Sequence, residues 1–384
     1  MHGTADPVVT ERDLRTPGWL ALIAIAIVLQ LLLYRNSGYS WHFFTEAASL
    51  LIGQHPAGDV LPGGLHLYAN YPKLQFGPVT VLVVILLMPL SASGWFLVTW
   101  FMTLSGLLAL YLLERTVRVL RPDLDLNSWP AAITTLVGGT SILYSWELLA
   151  VHDSHLDDVI ALLFLVAAMC AAAHRAPILA GLSIGLATDA KPWALACAAV
   201  LLAFAPRDLW RAGAVAGLVI CVAWLPFVLG DPHTLSAAAS FVIPNSPASA
   251  LRALGVNSAS TPPWDRMAQI GIGCLLGAIA VFRRRFAAVL ALGIGARIAL
   301  DPSVYSYYTA GLAIGVLLWD LVGYRRPAPR LGALVLVGLT LAPAVVHNSH
   351  VLGELRLWTV LAVAVVMLAL PRREPRADDD ARAW

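Results

Sequence analysis

The chain has 384 residues, 59% of them hydrophobic and only 12% charged, with a formal net charge of +2 and a mean hydropathy of +0.75. Soluble domains carry about 25% charged residues, so an ordinary water-soluble fold is excluded, and the small net charge argues against a nucleic-acid partner. The charges come in short bursts, such as Arg115, Arg118 and Arg121, or Arg283-Arg284-Arg285. Between the bursts lie apolar stretches of roughly 17–22 residues, the length that crosses a bilayer as a helix. Backbone groups in hydrocarbon must pair internally, and continuous rather than alternating apolarity selects helices over a closed barrel. The predicted fold is all-α: a polytopic transmembrane helical bundle of about 11–13 membrane helices. It forms one domain over residues 1–371, with a charged, disordered cytoplasmic tail at 372–384.

In chain order, residues 1–17 carry Arg12 and Arg15, and no cleavable small-residue site follows the first apolar run. That run, 18–34, therefore reads as a retained membrane helix. In the segment 36–75, the stretch Trp41-His42-Phe43-Phe44-Thr45-Glu46-Ala47-Ala48-Ser49-Leu50-Leu51-Ile52 is amphipathic and suits the interface plane. A Gly/Pro-rich stretch follows, ending Tyr71-Pro72-Lys73-Leu74-Gln75-Phe76-Gly77-Pro78. Further spans are predicted at 76–91, 95–113, 129–150, 157–173, 177–205, 210–230, 264–282, 287–300, 304–322, 330–346 and 355–371, with a break near Asp189-Ala190-Lys191-Pro192 inside 177–205.

Arginine-rich segments at 207–211, 283–285, 325–330 and 372–376 are predicted to face the cytoplasm. The loops 35–75, 152–158, 231–263, 301–304 and 347–354 then lie outside, with most of the His, Asp, Tyr and Trp residues that can do chemistry. One conflict remains. If 76–91 and 95–113 both cross, Arg115, Arg118 and Arg121 land on the outer face; either one of the two fails to cross, or the break at Asp189 adds a crossing. The four cysteines, Cys170, Cys197, Cys221 and Cys274, sit in apolar runs with no metal or redox spacing and read as small core residues.

Four features carry candidate chemistry. Of 25 Lys and Arg residues only Lys73 and Lys191 are lysine, each beside a proline at the mouth of an apolar span. They either snorkel to the interface or wait there as cations for a lipid phosphate. The run His152-Asp153-Ser154-His155-Leu156-Asp157-Asp158 puts two histidines and three carboxylates at the start of a span. Phosphate or sugar binding, a divalent metal held by His152, His155 and Asp158, and simple helix capping by Asp are its three readings. The segment Ala180-Gly181-Leu182-Ser183-Ile184-Gly185-Leu186-Ala187-Thr188-Asp189-Ala190-Lys191-Pro192-Trp193 joins a small-residue helix to a charged break. Close helix packing accounts for its glycines but not for Asp189 and Lys191. Last comes Arg297 with Asp301-Pro302-Ser303-Val304-Tyr305-Ser306-Tyr307-Tyr308, either an aromatic belt or a sugar-binding wall.

Together these pieces resemble the GT-C superfamily of membrane glycosyltransferases, and most closely glycosyltransferase family 87, the polyprenyl-phosphate-mannose-dependent mannosyltransferases of actinobacteria. The resemblance covers roughly residues 18–325 through loose motifs. Tyr71-Pro72-Lys73-Leu74 is similar to the family's Tyr-Pro-Pro-like lead-in. Ala180-Gly181-Leu182…Gly185-Leu186…Lys191-Pro192 matches its Ala-Gly-Leu…Gly-Leu…Lys-Pro segment, and 301–308 looks like its late Ser-Pro-x-Ser-Trp-x-His-His motif. Two departures stand out. The family's first-loop Asp is missing, leaving His42 and Glu46 in that neighbourhood, and Tyr307 and Tyr308 replace the late His pair.

The resemblance implies an inverting transferase that moves a sugar, mannose or a pentose, from a polyprenyl phosphate to a lipid-linked or cell-envelope glycan. It would be a multi-pass plasma-membrane protein with its site outside and membrane lipids around it. Inversion needs one base for the acceptor hydroxyl, while the phosphate leaves without a general acid. Asp158 and Asp157 rank first as that base, then Glu46 and His42. Lys73, Lys191 and Arg297 would surround the phosphate, and Tyr71, His152, Asp153, His155, Tyr305, Tyr307 and Tyr308 would line the substrate. No metal ligand is assigned, although a divalent ion is compatible with the polar run. Transporter or lipid flippase, and non-catalytic subunit of an envelope-assembly complex, are the competing classes.

Overall fold

The computed structural model describes residues 13–54, 61–92, 95–305 and 308–369. The chain is helical throughout, with one isolated antiparallel bridge, Pro244 to Ser260, among the described residues. In chain order the helices are α1 (Arg15–Tyr34), α2 (Trp41–Leu51), α3 (Leu67–Asn70), α4 (Pro78–Ala92), α5 (Trp95–Leu120), α6 (Trp129–Glu147), α7 (Leu156–Ala173), α8 (Pro177–Ala190), α9 (Pro206–Gly230), α10 (Thr234–Ser240), α11 (Ala250–Ala253), α12 (Asp265–Phe282), α13 (Val289–Leu300), α14 (Thr309–Val322), α15 (Arg330–Val335), α16 (Ala342–Val345) and α17 (Ser349–Ala369). Six of them, α1, α5, α7, α9, α12 and α17, are long and apolar enough to cross a membrane. This is a multi-pass membrane protein. The tail at 372–384 and the first twelve residues lie outside the described residues.

Two ends of the bundle can be told apart by contacts. At one end Arg15 Nε and Arg118 Nη2 each lie 2.8 Å from Glu114 Oε1. Arg121 Nη1 donates to the Tyr324 carbonyl (2.9 Å) at the close of α14, and Arg283 Nη1 to the Leu368 carbonyl (2.9 Å) at the close of α17. At the other end the chain between α1 and α2 docks on the chain between α6 and α7. The amides of Gly38 and Ser40 donate to the carbonyls of Val151 (3.3 Å) and Asp153 (3.0 Å). The segments 35–75 and 152–158, which the arginine bias groups as outside, thus share one end, called here the site end.

The contacts resolve the conflict over 76–91. Helix α4 begins where Gly77 N donates to the Ala190 carbonyl (3.1 Å), next to Lys191 at the site end. It finishes just before Trp95, whose Nε1 donates to Ser37 Oγ (2.7 Å), also at the site end. The expected span at 76–91 therefore does not cross: it returns to the end it left, packed on α2. That correction sends α5 away from the site end and puts Arg115, Arg118 and Arg121 with the other arginines.

The chain reverses direction at the Asp189-Lys191 break. Helix α8 runs toward the site end, and Pro192–Ala203 leaves it as a 3₁₀-helix. Lacking an N–H, Pro192 cannot continue α8 but suits the first turn of a new helix. At about 2.0 Å per residue, the 3₁₀ geometry stretches this short segment to roughly 24 Å, against about 18 Å for an α-helix. Small residues seat the neighbours: a Cβ built on Gly181 would run into the Ala212 carbonyl of α9. All four cysteines are unpaired thiols.

Candidate functional site

The site is built on the strained joint between α6 and α7. The last turn of α6 widens into a π-helical turn, Leu148–His152, a form common where a helix carries function. Ser154 then takes a left-handed backbone conformation (φ 57°) while fully buried, which costs roughly 1–2 kcal/mol for a residue with a Cβ. Its hydroxyl compensates, donating to the Val151 carbonyl (3.0 Å) and accepting from Gly38 N (3.0 Å). The reversal aims the first turn of α7 at the bundle interior. There Asp157 and Asp158 are 1% and 3% exposed.

Two buried carboxylates side by side need cations, since an unpaired buried charge costs several kcal/mol. Three distant segments supply them. Lys191, at the end of α8, donates its ammonium to Asp157 Oδ2, and its Nζ lies 3.7 Å from Asp158 Oδ2. Trp193 Nε1 and Arg297 Nη1 both donate to Asp158 Oδ1, at 2.8 and 3.1 Å. The Arg297 guanidinium is held between the rings of Trp193 and Tyr308, 4.2 and 4.0 Å from their centroids, and its Nε lies 3.6 Å from Asp301 Oδ2. The result is a continuous charged seam through α7, the α8 break and α13.

His155 stands on the more open side of this seam. Its Nδ1 is 3.7 Å from Asp157 Oδ1 and 4.0 Å from Asp158 Oδ2, and its Nε2 is 3.2 Å from Ser40 Oγ. The Tyr305 ring lies 6.5 Å away, with Tyr308 edge-on to Tyr305 at 5.6 Å. Ser40 of the first loop, the carboxylates of 152–158 and Tyr305 therefore meet around one imidazole. Among the described residues, Asp158 Oδ2 is buried without a hydrogen-bond donor.

The other candidate residues fall outside this seam. His152 Nδ1 is 2.8 Å from Asp153 Oδ1, and its ring stacks on Tyr39 at 5.8 Å, so it does not join His155. Lys73 Nζ donates to both oxygens of Glu46 (3.0 and 3.2 Å), with the two side chains 45% and 31% exposed. His42 is exposed and lies against Phe43, ring centroids 3.9 Å apart. Tyr71 donates its hydroxyl to the Leu61 carbonyl (2.7 Å). Tyr307 lies outside the described residues. The two lysines therefore do not form one cationic pair: each has its own carboxylate.

A divalent ion fits the seam by spacing but would compete there with the Lys191 ammonium. The donor atoms of His155, Asp157 and Asp158 lie within 4.8 Å of one another, close enough for shared ligation. The Lys191 ammonium already occupies the space between the two carboxylates. A doubly charged ion about 4 Å from it would meet a repulsion of roughly 8 kcal/mol at an effective dielectric near 20.

Sequence reasoning missed several members of this region. Trp193 and Asp301 were visible only as letters within longer motifs. Arg356 of α17 is 3% exposed and Asp265 of α12 is fully buried, and Gln269 Nε2 donates to Asp265 Oδ2 (2.8 Å). A charge inside an otherwise apolar run was the signal that could have found Arg356.

No family model and no curated protein matches the chain. Among solved structures it is similar to ArnT from Cupriavidus metallidurans bound to undecaprenyl phosphate, with a TM-score of 0.49 and 16% identity over 92% of this chain and 71% of that one. No residue role is carried across from it.

Proposed function

We propose that the protein is an inverting glycosyltransferase that uses a polyprenyl-phosphate sugar as donor and a lipid-linked or envelope glycan as acceptor. The observation that carries this reading is the meeting of His155 with the Asp157–Asp158 pair at the site end of the bundle. His155 Nδ1 lies 3.7 Å from Asp157 Oδ1 and 4.0 Å from Asp158 Oδ2, so the carboxylates fix the ring while Nε2 faces Ser40. A base in that position takes the acceptor's hydroxyl proton as the oxygen attacks the anomeric carbon. The carboxylates orient the ring rather than accept the proton, because both are buried under cations. Lys73 is the exposed cation for the leaving phosphate, and exchanges Glu46 for it. Arginine bias puts the site end outside the plasma membrane.

Mannose, or a pentose, is the sugar that the resemblance to family 87 suggests. A flippase reading rested on a helix broken at mid-membrane. The break at Asp189-Lys191 joins α8 to the 3₁₀ segment at the site end, where Gly77 N donates to the Ala190 carbonyl.

The test is transfer by the purified full-length protein from a polyprenyl-phosphate-linked mannose, with single alanine variants of His155, Asp157, Asp158, Glu46 and His42. Loss of at least a hundredfold in the His155 variant, within the range general-base removal produces, is the expected result. Near-normal rates in all five variants would remove the catalytic role from this site.

A further inference from the structure

We infer that the carboxylate pair of this site is a metal-like centre whose resident cation is the Lys191 ammonium, so that the wild-type protein does not take a divalent ion there. Three observations lead to it. Asp157, Asp158 and His155 present donor atoms at ligand spacing. Asp158 Oδ2 is buried with no hydrogen-bond donor among the described residues, which leaves the nearby ammonium as its counter-charge. And Lys191 Nζ bonds Asp157 Oδ2 while standing 3.7 Å from that same Asp158 oxygen. Lysine reaches this position only because α8 stops at Ala190 and Pro192 turns the chain away. The ammonium is thus presented by a helix end rather than by a mobile loop.

Arg297 strengthens the assignment. It neutralises the other oxygen of Asp158 and is locked by two rings and Asp301. Lys191 and Arg297 thus face the Asp157–Asp158 pair, with Arg297 shared with Asp301. Removing the Lys191 charge leaves one carboxylate uncompensated, and the donor set becomes one that a divalent ion completes. The inference concerns ion occupancy and stands whether or not the protein transfers sugar.

The experiment is Mn²⁺ titration of the detergent-purified full-length protein at neutral pH, read by electron paramagnetic resonance and by the melting temperature. Wild type is expected to show no Mn²⁺ that a His155→Ala substitution abolishes. That comparison separates this site from the acidic Asp378-Asp379-Asp380 run near the C-terminus. Lys191→Met and Lys191→Gln are expected to bind one Mn²⁺ at least tenfold more tightly than wild type, to melt higher with Mn²⁺ than without it, and to lose both effects when His155→Ala is added. Wild-type binding that depends on His155 overturns the inference. So do folded Lys191 variants that bind no more than wild type. If neither variant folds, the wild-type measurement alone decides.

Discussion

Lys73 and Lys191 carry the same signature in the sequence, a rare lysine beside a proline at the mouth of an apolar stretch, yet the fold treats them oppositely. Lys73 sits on the open first loop, pairs with Glu46, and leaves nearly half of its side chain exposed. Lys191 is the inner member of a seam in which Asp157, Asp158, Trp193 and Arg297 are all buried. Exposed ion pairs contribute about 0–1 kcal/mol, whereas stripping one partner from a buried pair costs about 3–5 kcal/mol. The difference divides labour: the exposed pair can exchange its carboxylate for a ligand, and the buried seam holds the geometry.

The largest effect should come from the buried side. Arg297→Ala leaves Asp158 and Asp301 short of a cation and opens a gap between the Trp193 and Tyr308 rings. A loss of about 3–5 kcal/mol is expected, read as a fall in the melting temperature in detergent. A loss under about 1 kcal/mol would mean that the seam is solvated and the contrast with Lys73 false.

Next is the backbone joint that delivers Lys191. A Cβ on Gly77 would run into the Asp189 carbonyl, where the first loop passes against the end of α8. Overpacking of this kind costs about 1–3 kcal/mol. Gly77→Ala should therefore destabilise the protein by that amount and lower any activity that depends on Lys191. An unchanged melting temperature would show the joint to be loose.

Lys73→Ala should cost less than about 1 kcal/mol in stability while abolishing polyprenyl-phosphate binding or transfer. Retained turnover with a purified donor would reduce Lys73 to a snorkelling residue. The smallest effect belongs to a surface pairing at the same end. Hydrogen bonds from His66 and then from the backbone and ring of His233 hold the Asp231 carboxyl below its ordinary range. Stability from a lowered carboxyl is fully present above about pH 3.9, the unfolded value, and is lost as pH falls through the lower folded value. Asp231→Asn should thus lower the melting temperature slightly at neutrality and flatten its fall below about pH 4.

What the sequence made legible follows the physics of each signal. Membrane helices were readable because lipid demands long apolar runs, and the shared end of the polar loops because arginine marks the other one. That 76–91 or 95–113 fails to cross was one reading of Arg115, Arg118 and Arg121, but that it is α4 was not readable. Its composition is as apolar as its neighbours', and only the contacts of Gly77 and Trp95 show both of its ends on one side. Asp157 and Asp158 stood out as charges opening an apolar helix. Their partners did not, because Lys191 lies 34 residues away and Arg297 139 residues from Asp158, distances that only the fold closes. The same blindness put the two lysines in one class.

The central claim is that a lipid phosphate binds beside Lys73 on the face that His155 overlooks. Electron cryomicroscopy of the full-length protein in nanodiscs with a short-chain polyprenyl phosphate tests it directly. The account predicts phosphate density within hydrogen-bonding distance of Lys73 Nζ, with Glu46 displaced and the Lys191–Asp157 pair intact. Phosphate at the opposite end of the bundle, or an undisturbed Lys73–Glu46 pair at saturating lipid, would contradict it.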